Sequence, residues 1–199
     1  MQEARHLALL SSRGWTWTDE ERIFSTLAAR LGSAEVRRQV LRPTVAVDAR
    51  KGTHSASVGL GTFPWHTDGA IALNPPQWMV LRCIEATRPT STQICSPSDD
   101  LKQALRRLTL LIRQESGRNA YLPAFVSSGP NTWKLRWDPR ATPVGPDSAR
   151  AAVEGAHPTG EVAWQPGRIL ILDNHRVMHR RPSVSAATGR ALVRTFIIK

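Results

Sequence analysis

The stretch GRILILDNHRVMHRRP, residues 167–182, decides how the rest of the chain is read. Its apolar residues 169–172 follow a Gly-Arg pair and stop at Asp173-Asn174, where a polar turn begins. An apolar run this short, closed by turn residues, fits a strand buried on both faces better than a helix, which needs more length. Past the turn, His179 stands before Arg180 and Arg181. The histidine is expected at an exposed position and the two arginines in solvent, since long cations after a turn are usually hydrated.

Working outward, QWMVLRCIEAT (77–87) has the apolar density of a second buried strand. NTWKLRWDP (131–139), GEVAWQPGRILILDN (160–174) and GRALVRTFIIK (189–199) are also strand-like. In the first of these, Trp133, Leu135 and Trp137 alternate with Lys134 and Arg136, as a half-buried strand requires. PTVAVDARKG (43–52) reads as a short strand and turn, and SASVGLGTFPWHTDGAIAL (55–73) as an extended, glycine-punctuated segment. Two helices stand out. In the first, Thr18 and Glu21 form a capping box, Ile23, Leu27 and Leu31 one apolar face, and Gly32 the stop. The second covers 96–117, with Ser98 as N-cap, Asp99 and Asp100 in the first turn, Leu101, Leu105, Leu108 and Ile112 as its core face, and Gly117 at its end. The loop-rich stretch 139–158 holds one short helix at most. Many short strands with peripheral helices imply a mostly β fold with flanking helices, a sandwich or jelly roll, and not alternating βαβ units. Neither GxGxxG nor GxxxxGK[ST] occurs, so nucleotide binding of those kinds has no support.

The segment FPWHTDGAIAL (63–73) puts His66 two residues before Asp68. In an extended chain, residues i and i+2 share a face, so an imidazole and a carboxylate converge. A second imidazole would complete a two-histidine, one-carboxylate face that leaves other coordination positions open, the signature of non-haem Fe(II) oxygenases. His6, His54, His157, His175 and His179 are the candidates.

WHTDG, GRILILDNHRVMH and GRALVRTF together resemble the taurine dioxygenase and clavaminate synthase-like group of Fe(II)/2-oxoglutarate-dependent dioxygenases. Asp173-Asn174 match the strand end of that group, and His179, six residues after Asp173, takes the distal ligand position in place of His175. Arg190 and Arg194 follow His179 by 11 and 15 residues, and Thr92 follows Asp68 by 24. The resemblance implies a double-stranded β-helix (jelly roll, cupin-like) and iron held by His66, Asp68 and His179. It also implies 2-oxoglutarate and O2 as co-substrates, with succinate and CO2 released as a substrate is hydroxylated or otherwise oxidised. Arg194 would grip the distal carboxylate of 2-oxoglutarate with help from Thr92. Arg190 would point toward the metal end and meet the co-substrate or an anionic group of the prime substrate. Halogenating relatives carry a small residue where Asp68 stands, so its carboxylate favours hydroxylation. From His66 to His179 is 113 residues, a short interval for such enzymes. It implies an open site, a large or carrier-bound substrate, or an oligomeric partner that completes the pocket.

A length of 199 residues is read as one oxygenase domain, whose first 55 residues contribute a helix and a strand. Two cysteines, Cys83 and Cys95, outside any CxxC, are expected as reduced core thiols of a cytoplasmic protein. No apolar run resembles a signal peptide or membrane span. The net charge of +11 is not gathered in a tail, although residues 165–199 carry seven Lys/Arg against one acid. That placement favours an anion-lined pocket, and a small-molecule substrate carrying an anionic group, over a nucleic-acid partner. An AlkB-like oxidative demethylase of nucleic acid and a non-catalytic binding protein on the same fold are the alternative readings, and a homo-oligomer is compatible with either. His175 is expected outside the ligand set, and Trp65 at the substrate entrance or in simple packing.

Overall fold

The computed structural model describes residues 2–32, 34–113, 119–129 and 132–198. In chain order its elements are α1 (Gln2–Arg13), β1 (Trp15–Thr18), α2 (Glu21–Leu31), β2 (Ala34–Leu41), a short 3-10 turn (Ala46–Asp48) and α3 (His54–Val58). After these come β3 (Trp78–Ala86), β4 (Ser91–Cys95), α4 (Asp99–Arg106), β5 (Thr109–Arg113), β6 (Asn119–Pro123), β7 (Phe125–Gly129), β8 (Thr132–Leu135) and β9 (Thr142–Val144). The chain closes with α5 (Asp147–Glu154), β10 (Gly160–Ala163), β11 (Ile169–Asp173), β12 (Met178–Arg180) and β13 (Arg190–Ile198).

The major sheet runs β1-β11-β3-β13-β2, and a smaller sheet runs β10-β4-β12, with every pairing antiparallel. β11 lies between β1 and β3 and is buried along its whole length. Its two faces serve different layers. Leu170 and Leu172 join Met79, Leu81, Leu192 and Phe196 of the major sheet with Ile94 and Val162 of the smaller one, so the two sheets share one core. Ile169 and Ile171 face the other way with Trp78, Val80 and Ile197, beneath Leu10 of α1 and Ile23, Phe24, Leu27 and Leu31 of α2. A strand covered on both sides has no use for a polar face, which is why residues 169–172 do not alternate. A third core packs α4 and α5 around Trp65, Leu135 and Trp137. This is the layered jelly-roll arrangement expected from the sequence.

Several local expectations give way to tertiary demands. Residues 2–13 form a helix although their sequence shows little apolar pattern, because only Leu10 is buried beneath α2. Thr18 ends β1 instead of capping a helix; its hydroxyl accepts from the Glu20 amide at 3.1 Å, and α2 begins at Glu21. Gly32 does end α2, but in extended backbone: a Cβ there would lie 2.3 Å from the Ile198 carbonyl oxygen, so the close approach of β13 demands glycine. Residues 43–52 hold the 3-10 turn and no strand. In the stretch 96–117, Ser98 caps as expected, its Oγ accepting from Leu101, yet the helix stops at Arg106 and β5 follows. Gly117 lies outside the described residues. β5 pairs with β6 and β9, and those non-local ladders outweigh the helical periodicity of the apolar residues.

Ile171 is wholly buried between sheet and helices. Ile171→Ala is expected to cost roughly 2–5 kcal/mol and Ile171→Val about 1 kcal/mol, measured by urea unfolding.

Candidate metal centre and its cavity

The segment 60–68 is not a regular strand but is laid along the edge of the smaller sheet. The His66 amide donates to the His179 carbonyl at 3.1 Å and the His179 amide returns the bond to the His66 carbonyl at 2.9 Å. Further out, Phe63 donates to Arg181 and Val184 to Leu60. On its other side, Thr67 donates to the Trp137 carbonyl, and its hydroxyl accepts from the Trp137 amide. The middle residue is thus turned away, and His66 and Asp68 face inward together.

Asp68 is fixed by Asn174. The Asn174 Oδ1 accepts from the Asp68 amide at 2.8 Å, while its Nδ2 donates to the carbonyls of Asp68 and Pro76 at 2.9 and 2.8 Å. Asp173 organises the turn behind it, accepting from the amide of His175 through its carboxylate and from those of Arg176 and Val177 through its carbonyl. Gly69 follows at φ +68°, where a Cβ would also approach Pro76 Cδ to 3.2 Å, so the chain turns there only without a side chain.

His66, Asp68 and His179 are all buried, and one ligand atom of each lies within 4.8 Å of the others. The two imidazole centroids are 4.4 Å apart. His66 Nδ1 lies 3.0 Å from the Pro64 carbonyl, which places its proton there and leaves the Nε2 lone pair for a cation. Burial, reinforced by His66, pushes the His179 pKa down to about 3, so its ring is neutral near pH 7. Burial alone would raise the Asp68 pKa, but Arg194, His179 and His66 together hold it below the usual carboxylate range. Asp68 Oδ2 and His179 Nδ1 are buried with no hydrogen-bond partner. A carboxylate oxygen and two imidazoles converging in this way suit a divalent transition metal, whose ligands must be deprotonated.

The triad opens into a cavity of about 670 Å³. Arg42, Arg50, Arg140, Arg180, Arg181, Arg190 and Arg194 line it, against the acids Asp48 and Asp68. Arg181, expected in solvent, is buried; it donates to the carbonyls of Gly59 and Gly61 at 2.6 and 2.8 Å and lies over the Phe63 ring. Arg180 is half-buried over Trp65 and donates to Gln93. His179 is likewise buried, because residues 60–66 cover what would otherwise be an exposed edge strand.

Of the two arginines of β13, Arg194 donates to Asp68 Oδ1 at 2.7 Å and pairs with Gln39. Arg190 lines the same cavity and is buried; its Nε has no partner among the described residues, and burial together with Arg181 pushes its pKa down to about 10. Thr92 faces the same cavity, and its hydroxyl accepts from Trp164 Nε1 at 3.1 Å, leaving its own hydrogen to donate. His175 is half-buried with Nε2 against the Pro75 carbonyl, and Trp65 is a core residue bonded to the Ala156 carbonyl. Arg136, given no role by the sequence, donates to the carbonyls of Ala70, Ala72 and Leu73 and so pins the turn after Asp68. His54, one of the five candidate imidazoles, lies 4.5 Å from His66, centroid to centroid, though not in the ligand set. Cys83 and Cys95 are buried and free. No helix among the described residues is long and apolar enough to cross a membrane.

Two measurements probe this arrangement. Asn174→Ala removes the two bonds that hold the Asp68 backbone and a third to Pro76 and is expected to weaken divalent-metal affinity about 10- to 100-fold, read by competitive titration. The metal-free protein should also lose stability on acidification. His179 and His54, with folded pKa values of about 3 and about 4, stay neutral in the fold while the unfolded chain takes up protons below 6.5. Stability is therefore full above that value and is lost as pH falls toward the folded values, giving a lower melting temperature near pH 5 than near pH 7.5.

The sequence profile of the taurine catabolism dioxygenase TauD, TfdA family matches residues 151–196, which hold β10 to β13, His179 and both β13 arginines. No curated protein sequence matches the chain. Among solved structures, an asparagine oxygenase in complex with Fe(II), hydroxyasparagine and succinate has TM-score 0.70 at 17% identity, over 99% of this chain and 79% of that one. The non-heme iron oxygenase OrfP, in complex with Fe and alpha-ketoglutaric acid, has TM-score 0.64 at 18% identity, over 98% and 78%. A taurine dioxygenase from Burkholderia xenovorans has TM-score 0.62 at 19% identity, over 98% and 80%. The chain thus carries the TauD, TfdA family signature in residues 151–196 and the fold of iron-dependent oxygenases along nearly its whole length.

Proposed function

We propose that the protein is an Fe(II)- and 2-oxoglutarate-dependent oxygenase that hydroxylates, or otherwise oxidises, an amino-acid-like or specialised-metabolite small molecule and releases succinate and CO2. The observation that carries this reading is the buried triad of two imidazoles and one carboxylate, opening onto a cavity whose wall holds a buried guanidinium without an acidic partner. The structural relatives support it: one holds succinate beside hydroxyasparagine, and another, a mutant form of OrfP, holds (3S)-hydroxy-L-Arg. The basic charge supports it too, since many of the arginines face one cavity where anions belong.

In this reading His66, Asp68 and His179 hold the metal, which when bound supplies the redox chemistry coupling 2-oxoglutarate decarboxylation to substrate oxidation. The protein's own residues do the placing. Arg194 holds Asp68 Oδ1, so the carboxylate presents Oδ2 alone to the cation. Arg190 and Thr92 receive the distal carboxylate of 2-oxoglutarate, which exchanges the parts first expected of the two arginines. Four residues along β13 separate them by roughly 13 Å of backbone, a span that the diacid and an arginine side chain together cover. A buried guanidinium with an unmade hydrogen bond is costly until an anion meets it, and a planar fork meets a carboxylate best. Arg181, its pKa pushed by burial to about 10, lies near enough to Arg190 to add to the same positive field.

With Fe(II), 2-oxoglutarate and O2 the protein should release succinate, and Asp68→Ala should reduce that release to background. Arg190→Met should raise the KM for 2-oxoglutarate at least tenfold, about 1.4 kcal/mol, measured by succinate formation at varied co-substrate. Absence of succinate from the metal-loaded wild type would overturn the reading.

A further inference from the structure

The cavity wall also carries a second polar cluster that neither metal nor 2-oxoglutarate accounts for. α3 delivers His54 into the cavity wall, against His66 and with Phe63 at 5.6 Å between centroids. Its buried Nε2 faces Asp138 Oδ1 at 3.8 Å, too far for a hydrogen bond, and has no partner. Asp138 has no exposed surface. It accepts from the Arg140 amide at 2.9 Å and from the Arg140 guanidinium, whose Nε reaches both carboxylate oxygens at 2.9 and 3.1 Å and whose Nη2 also donates. Arg140 Nη1 donates to the Gly52 carbonyl at 2.7 Å. A guanidinium offers five N–H groups. Three are spent on Asp138 and Gly52, and two remain on a side chain that lines the cavity.

We propose that His54, Asp138 and Arg140 form the receptor for the α-amino and carboxylate groups of the prime substrate, an α-amino acid; this rests on the oxygenase reading and deepens it. Position supports it first. His54 packs against His66 at 4.5 Å between ring centroids, and His54 and Arg140 line the same cavity as the triad. A molecule held by the cluster therefore sits beside the metal ligands. Chemistry supports it second. Arg140 is held in place by Asp138 and Gly52, so a carboxylate that meets its remaining donors does so at little entropic cost. His54 lines the same cavity with its Nε2 toward the Asp138 carboxylate, and the Asp138 charge behind the ring favours a cationic amine. Free guanidinium donors and an imidazole backed by negative charge match the two ends of a zwitterion. A substrate lacking either end leaves a buried polar group unmet, which is how such sites discriminate.

The test is binding to the Mn(II)- and 2-oxoglutarate-loaded protein without O2, using the individual protein L-α-amino acids with calorimetric readout. At least one should bind, and its methyl ester and its N-acetyl derivative should each bind at least tenfold more weakly. Arg140→Lys, which keeps a cation beside Asp138 but loses the fork, and His54→Phe, which keeps the ring volume, should each weaken that amino acid at least tenfold. Where His54→Phe does not fold, His54→Gln replaces it. The proposal is overturned if no α-amino acid binds, if the ester or N-acetyl compound binds as well as its parent, or if the variants keep full affinity. Because this assay involves no turnover, its failure is separable from a failure of the wild type to form succinate under Fe(II) and O2.

Discussion

An asparagine side chain wrapped around an aspartate peptide holds the centre together. Asp68 lies in an irregular buried segment, past the last backbone bridge to the smaller sheet, so its own N–H and C=O have no ladder partner. Such groups must be satisfied or the segment will not stay buried. Asn174 satisfies both at once and ties in Pro76 as well. Because Asn174 follows the last residue of β11, the position of Asp68 is set by the most buried strand of the molecule. The reciprocal bridge between His66 and His179 then sets the two imidazoles side by side, 4.4 Å between centroids. Side chains from two distant segments of the chain thereby meet.

Charge is organised by the same frame. Arginines are costly to bury unless anions or carbonyls meet them. In this protein some are met internally: Arg136 by three carbonyls, Arg181 by two, Arg140 by Asp138, and Arg194 by Asp68. Arg190 has no acidic partner among the described residues, and its Nε makes no hydrogen bond there. The excess of positive charge is thus a property of the cavity and its rim as much as of the outer surface.

Much of this was legible in the chain. The run 169–172 announced a buried strand and the i, i+2 spacing put His66 and Asp68 on one face, because both are local patterns; that His179 joins them was implied only by the family resemblance. Other features were not. Residues 109–113 carry helical periodicity yet pair as β5, since two neighbouring strands offer a ladder that no local propensity reveals. Arg181 reads as a solvated cation after a turn, yet the segment 59–63 folds over it and supplies its carbonyl partners. His54 carries no motif at all. Its position beside His66 follows from how α3 is docked, and the sole local signal is the Thr53 cap that starts that helix.

What the chain by itself determined is the layered β framework, through short apolar runs, and the shared face of His66 and Asp68, through spacing along an extended segment; His179 was singled out among five histidines by family resemblance alone. Which arginine stands beside Asp68 and which is left alone was decided only in three dimensions. Arg190 and Arg194 share a strand and a face, so one-dimensional spacing treats them alike. Their surroundings differ because Gln39 of the neighbouring β2 and the Asp68 turn close on one end of β13 and not on the other. Burial and partnership are properties of the assembled layers, and no periodicity in the sequence encodes them.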